Sequence, residues 1–168
     1  LATIGAQNNN TVSQNARLFA LANVAMADAG IAAWQSKYAE DFWRPITAIR
    51  DGDNDGNPLT EGDASWVPLG APGMGGDNFT PPFPAYVSGH ATFGEALMHT
   101  LQEFYGTDTM HFEITSEEVP GVMRAYDSFS QASQENARSR IYMGVHWSFD
   151  DEQGRVLGRS ISDFVFAN

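Results

Sequence analysis

Cysteine is absent from all 168 residues, which excludes disulfide bridges, thiolate metal sites and cysteine nucleophiles and leaves the redox compartment open. Positive charge is also scarce. Nine lysines and arginines face 21 aspartates and glutamates, giving a formal net charge of −12. The average surface field would repel a polyanionic backbone, so general nucleic-acid binding is excluded. No stretch approaches the roughly 18 uninterrupted apolar residues of a bilayer span, because Asn23 and Asp28 break up the most apolar run. From Leu1 onward no basic-then-apolar export leader is legible. The expectation is a soluble protein without a membrane span, its compartment open (secreted and periplasmic locations included), and a chain that is a piece of a longer one.

What is present suffices for a core: 42% of residues are hydrophobic and 12% aromatic, in a length typical of one domain. The few cations are distributed unusually. Lys37 is the only lysine, and the other eight are arginines. A lone lysine in an acidic chain is either a compositional survivor or a buried post, and composition by itself favours the first.

Thr11-Val-Ser-Gln14 has the form of a capping box and predicts a helix start. Leu18, Leu21, Ala22 and Ala25 then give the spacing of one buried face, continuing past Gly30 to Trp34 and Lys37. Gly30 marks either close packing or a break. Pro45 predicts that this helix ends before it and that a short second helix starts there. From Asp51 to Val87 lie six of the eight prolines and seven glycines, predicting a long irregular connection, ordered as a lid by Trp66, Phe79, Phe83 and Tyr86. Phe93, Leu97, Leu101 and Phe104 predict a third helix from Ser88 to Gly106. Met110 to Ile114 is of undecided type. Val122, Tyr126 and Phe129 predict a fourth helix to about Arg140, Gly144 a turn, and Ser148 with Asp151 the capped start of a last helix bearing Leu157, Ile161, Phe164 and Val165. The fold class expected is all-α, a helical bundle with a long irregular loop.

Three clusters carry potential chemistry. Lys37 and Arg44, seven residues apart, place two cations along one face if helical character continues between them. Taken alone, they read more plainly as surface charges snorkelling from an amphipathic helix. Val87-Ser88-Gly89-His90 passes from loop into helix, where free amides, the helix dipole and a serine hydroxyl form an anion cradle with a titratable imidazole in the first turn. An N-capping Ser88 and a surface His90 are the plain alternative. Ser139-Arg140 and His146 flank Gly144, with Asp150 four residues after His146. A carboxylate there can fix the imidazole tautomer, or can simply complement a helix dipole.

Together, Lys37, Arg44 and Pro45, then Ser88-Gly89-His90, then Ser139-Arg140, His146 and Asp150, resemble the three-part signature of the type 2 phosphatidic acid phosphatase and vanadium haloperoxidase superfamily. The second motif of that superfamily usually begins with proline, where this chain has Val87. Within it, Phe42-Trp-Arg-Pro45, Pro81-Pro-Phe83-Pro-Ala-Tyr86 and Gly144-Val-His-Trp147 resemble the vanadium chloroperoxidases from about residue 11 onward. The resemblance implies the following expectations. Residues 1–168 are a single catalytic domain of the C-terminal type. Lys37, Arg44, Ser88, Gly89 and Arg140 hold vanadate, for which phosphate or sulfate can substitute. His146 is the metal ligand, oriented by Asp150, His90 is the acid-base group, and Lys37 polarises bound peroxide. Trp34 and Phe83 line a halide pocket. The reactants are hydrogen peroxide, halide and a small organic acceptor. Full-length members carry an N-terminal half, including a carboxylate that steadies one arginine; that portion, or a homo-oligomer, is an implied partner. The same pocket suits an acid phosphatase with His146 as nucleophile, and a non-catalytic anion-binding fragment is the third reading.

Asp51, Asp53, Asp55 and Gly56 open like a calcium loop and suggest Ca2+, but position twelve is Gly62 where a bidentate Glu is expected. An ordinary acidic turn outweighs it. His99 and His111 stand alone in the sequence and receive no role.

Overall fold

A computed structural model describes residues 1–70, 78–116 and 119–168. A short helix α1 (Ala2–Gln7) precedes the long α2 (Val12–Glu40). Thr11 caps α2 as its sequence predicts: its Oγ1 accepts from the Gln14 amide at 3.3 Å, and Gln14 Oε1 accepts from the Thr11 amide at 2.8 Å. Leu18, Ala22, Ala25, Ala29, Ala33 and Lys37 form its buried stripe. Small side chains at four-residue spacing allow a neighbour to approach closely. Gly30 serves that approach and is no break, since a Cβ there would meet the Phe93 ring at 3.1 Å.

By length and composition the helical stretch Val12–Arg50 could cross a membrane. Its buried face instead packs within the bundle and carries the ammonium of Lys37. Asp41, with φ 46°, ends α2 in the left-handed region, and α3 (Pro45–Arg50) starts on the proline. Arg44 therefore lies off α2. The expected single helical face for Lys37 and Arg44 does not form, and a turn brings the arginine back instead.

The long connection packs onto the rest of the chain. Gly70 N–H donates to Met143 O at 3.0 Å, and a Cβ at Gly144 (φ 71°) would meet Trp66 and Pro68 at 3.2 Å. Part of the expected lid, residues 71–77, lies outside the described residues. The Asp51–Gly62 segment is an acidic turn, starting with a 3-10 turn at Gly52–Asn54. Asp51 accepts from Asn54 Nδ2, Asp53 from the Gly62 amide, and Asp55 from the Asn57 amide and the Thr60 hydroxyl. These carboxylates close their own loop, and among the described residues they do not form a group of three acidic or histidine side chains with ligand atoms within 4.8 Å of one another.

Helix α4 (Gly89–Tyr105) runs from N-cap Ser88 to Gly106, whose φ is 67°. The expected fourth helix over Val122–Ser128 is instead a strand. β1 (Thr109–Ser116) pairs antiparallel with β2 (Val119–Ser128), and α5 (Phe129–Tyr142) begins only at Phe129. Apolar spacing in a segment this short fits either period. Pairing of Phe112 opposite Tyr126, with ring centroids 5.5 Å apart, settles it by burying both rings against Phe129. The last helix, α6 (Ser148–Ala167), starts one residue earlier than expected: Trp147 is the N-cap, and its amide donates to Asp150 Oδ2 at 3.0 Å. Asp150, rather than Asp151, is the capping carboxylate.

The tightest helix pair is α4 against α6. A Cβ at Gly154 would meet Ser88 O at 2.8 Å, and one at Gly158 would run into Thr92 O. Nearby, buried Glu95 accepts from Ser133, Arg155 and Arg159, tying α4 to α5 and α6. Glycine-to-alanine in an exposed helix gains about 1 kcal/mol, whereas overpacking costs about 1–3 kcal/mol. Gly158→Ala is therefore expected to destabilise the protein, with urea unfolding as the check; a gain in stability would contradict the close approach.

Candidate active site

Lys37 reaches from α2 into the irregular chain before α4. Its Nζ donates to the carbonyls of Pro84 (3.0 Å), Ala85 (2.9 Å) and Val87 (2.6 Å). Three acceptors use all three ammonium protons, and the residue is 0% exposed. Its Nζ also lies 5.3 Å from the Phe83 ring centroid and 5.9 Å from that of Trp34, whose rings are 5.3 Å apart. Burial first, and Arg44 second, pull Lys37 down from 10.5 to about 7, while Asp150 opposes the shift.

Arg44, the N-cap of α3, is buried. Its Nε donates to Phe83 O at 2.8 Å and its Nη1 to Val145 O at 2.7 Å, with the guanidinium 5.0 Å from the Phe83 ring. Nη1 also lies 2.9 Å from His146 Nε2, and His146 Nδ1 lies 2.9 Å from Asp150 Oδ2. A guanidinium can only donate, so Nε2 accepts and Nδ1 carries the proton given to Asp150. The capping geometry at Trp147 fixes that carboxylate. Burial pulls His146 to about 4, with the Asp150 hydrogen bond raising it and Arg44 and Lys37 lowering it.

Arg140 comes from the last turn of α5 and is buried, with its Nη1 3.3 Å from Met143 Sδ. Ser88 is fully buried as the α4 N-cap, its Oγ accepting from the Ala91 amide at 3.4 Å. A Cβ on Gly89 would meet Trp34 at 3.3 Å, so glycine lets that ring close over the first turn. His90 stands at the edge, with exposed surface on one side and protein atoms, Arg140 and Lys37 on the other. Burial, then those two cations, pull it to about 4. It opens onto an apolar cleft of about 640 Å³, and Arg44 lines a second of about 490 Å³.

Mutual electrostatic influence links Lys37, Arg44, Arg140, His90, His146 and Asp150, so all of these expected site residues lie around one region. Trp34 and Phe83 flank Lys37, and Ser88 and Gly89 sit at the α4 start beside it. Sequence reading did not find the three carbonyls that hold Lys37. The signal was there in Pro81, Pro82 and Pro84, which lack amide protons and keep the segment out of ladders, leaving carbonyls free. It also missed the second grip on His90, whose carbonyl accepts from Asn136 Nδ2 at 2.7 Å.

The donor set suits a multiply charged oxyanion. Buried Lys37 and Arg44 lie within electrostatic reach of the buried Asp150, which is already bonded to His146, Arg140 lies within reach of Arg44, and Arg44 Nη2 is buried with no hydrogen-bond partner among the described residues. An orphaned buried donor of this kind is costly unless a ligand meets it.

With this geometry, the chain belongs to the family described as the VCPO second helical-bundle domain, whose model matches residues 17–168. It is 39% identical over 180 residues to the vanadium chloroperoxidase of Curvularia inaequalis, covering 84% of this chain and 29% of that protein. Among solved structures it is similar to a bacterial vanadium-dependent iodoperoxidase, with a TM-score of 0.82 and 33% identity over 99% of this chain and 36% of the other. A holo-type bacterial vanadium-dependent chloroperoxidase shares the fold, with a TM-score of 0.67 and 19% identity over 88% of this chain and 34% of the other. The chain thus spans about a third or less of the length of these relatives.

Two outcomes are expected. Asp150→Asn removes the carboxylate charge and weakens the hydrogen bond that raise His146, so its titration midpoint, read by NMR, should fall below about 4; an unmoved midpoint would contradict the pairing. Lys37 carries its charge below about 7 and loses it above. Sulfate affinity should therefore drop about tenfold between pH 6 and 8, checked by calorimetry, because sulfate keeps a constant charge over that range.

Proposed function

We propose that this chain is the catalytic, C-terminal-type domain of a longer vanadium-dependent haloperoxidase, which oxidises halide with hydrogen peroxide to hypohalous acid for a small organic acceptor. The observation that carries this reading is the buried grouping of Arg44 and Lys37 about the unprotonated Nε2 of His146, with Arg140 within electrostatic reach of Arg44 and a buried Arg44 donor that has no hydrogen-bond partner among the described residues. Membership of the family and the 39% identity to a vanadium chloroperoxidase support it.

Lys37, Arg44, Arg140, the Ser88 hydroxyl and the Gly89 amide would hold vanadate, with His146 Nε2 as its ligand; phosphate or sulfate fits the same charges. Bound there, vanadate supplies Lewis-acid activation of hydrogen peroxide toward halide. Asp150 holds His146 in the Nδ1-protonated tautomer, so that Nε2 presents its lone pair. The cations offset the anion's charge in a site screened from water. His90, neutral at pH 7, accepts a proton at its imidazole from incoming peroxide. Lys37, its three N–H bonds committed to the Pro84, Ala85 and Val87 carbonyls, would polarise peroxide through its charge, and the Trp34 and Phe83 rings would shape an apolar seat for halide. The outer face of α2, where Val24, Ile31 and Tyr38 are exposed, is the side on which the rest of a longer chain or a second copy would pack.

The same unprotonated Nε2 supports a second reading, an acid phosphatase in which His146 attacks phosphorus and His90 protonates the leaving group. Partial coverage of the relatives supports a third, a domain that binds anions without turnover. Assaying the full-length protein for halogenation with vanadate and peroxide, beside a phosphomonoester assay, separates these readings. Halogenation lost by at least about 10³-fold in His146→Ala is expected. Phosphomonoester turnover alone, or sulfate binding with neither activity, would overturn the haloperoxidase reading.

A further inference from the structure

Besides its own helix, His90 is held by a hydrogen bond at its carbonyl from Asn136 Nδ2 at 2.7 Å, and it stands in the electrostatic field of Arg140, which disfavours its protonated form. Asn136 lies on α5 one turn before Arg140, hence on the same face of that helix. The Asn136 carbonyl in turn accepts from the Ser139 hydroxyl at 2.7 Å. The amide crosses to α4 over Gly94, and a Cβ there would run into Asn136 Nδ2, closer than real Cβ contacts come. Glycine at 94 and asparagine at 136 are thus two halves of one arrangement. We infer that Asn136 is a positioning residue, which grips the first turn of α4 through the His90 carbonyl and sets the His90 imidazole against the helix that carries Arg140. This rests on the acid-base role proposed for His90.

The hydrogen bond joins two elements that each bring part of the site. Ser88, Gly89 and His90 arrive on the start of α4, and Arg140 on the end of α5. Without the grip the first turn of α4 could shift at its exposed edge, where His90 stands, while Ser88 stays anchored by the Asp150 carbonyl, which accepts from its amide at 3.0 Å. Loss of Asn136 should therefore disturb proton transfer more than anion binding. Asn136→Ala deletes the donor. Asn136→Asp keeps the shape but sets an oxygen against the carbonyl. Gly94→Ala pushes aside the far end of a short side chain, which a folded chain can accommodate.

In the full-length protein, each single variant should lower kcat for halide oxidation about tenfold while sulfate affinity stays within about twofold of the parent. The double variant Gly94→Ala with Asn136→Ala should be no worse than the poorer single variant, because both break one contact. By NMR, the His90 titration midpoint should rise in Asn136→Ala as the ring moves away from Arg140. An unchanged kcat and midpoint, sulfate affinity falling in step with kcat, multiplicative losses in the double variant, or full activity in Asn136→Asp would each overturn the inference. If the parent oxidises no halide, the haloperoxidase reading fails, and the His90 midpoint alone still decides whether Asn136 sets that ring.

Discussion

The buried ammonium of Lys37 is the constraint on which the rest of the site depends. An unpaired charge at zero exposure would cost several kcal/mol, and here three consecutive-region carbonyls absorb it. In doing so they define the path of Pro84–Val87, a stretch with no ladder of its own. That path delivers Ser88 to the mouth of α4, brings Phe83 over Lys37, and leaves Phe83 O where Arg44 Nε can use it. A side chain on the longest helix thereby organises a segment that secondary structure alone would leave undetermined.

Around that post the electrostatics are unbalanced. Lys37 and Arg44 share Asp150 as a buried counter-charge, Arg140 acts on Arg44 as a like charge, and Asp150 is also bonded to His146 and the Trp147 amide. Such surplus positive charge costs folding free energy, and it is retained at functional sites where a ligand offsets it. The core elsewhere compensates. Alanine and glycine faces bring α2, α4 and α6 together, and the Glu95 cluster pairs its arginines where one end reaches water.

Sequence alone exposed most of the helices, because capping boxes and glycine stops are local signals: Thr11 with Gln14, Ser88 and Gly106 all fall where the chain predicted. It failed at Val119–Ser128, where Val122, Tyr126 and Phe129 satisfy a helical period but partner pairing with β1 decides the outcome. A cross-strand contact such as Phe112 with Tyr126 is non-local and leaves no mark in a window read by itself. The polar site was legible residue by residue, and Lys37 stood out because no other lysine exists. How those residues meet was not. The seven-residue gap from Lys37 to Arg44 suggested one helical face, whereas the left-handed Asp41 turns the chain and returns the arginine from a different direction. The carbonyl acceptors and Asn136 act through backbone atoms or on backbone atoms, which side-chain motifs do not record.

The hydrogen bond between Arg44 Nη1 and His146 Nε2 has a kinetic meaning. The lone pair that makes this imidazole useful is already covered by a guanidinium, so any electrophile seeking that nitrogen must first dislodge its occupant. Only a guest that offers the arginine oxygens in exchange can do so without leaving a buried donor stranded. If the pocket takes an oxyanion as proposed, the resting site would be guarded against neutral reagents, and the cation that attracts such a guest would also bar those that bring no oxygens.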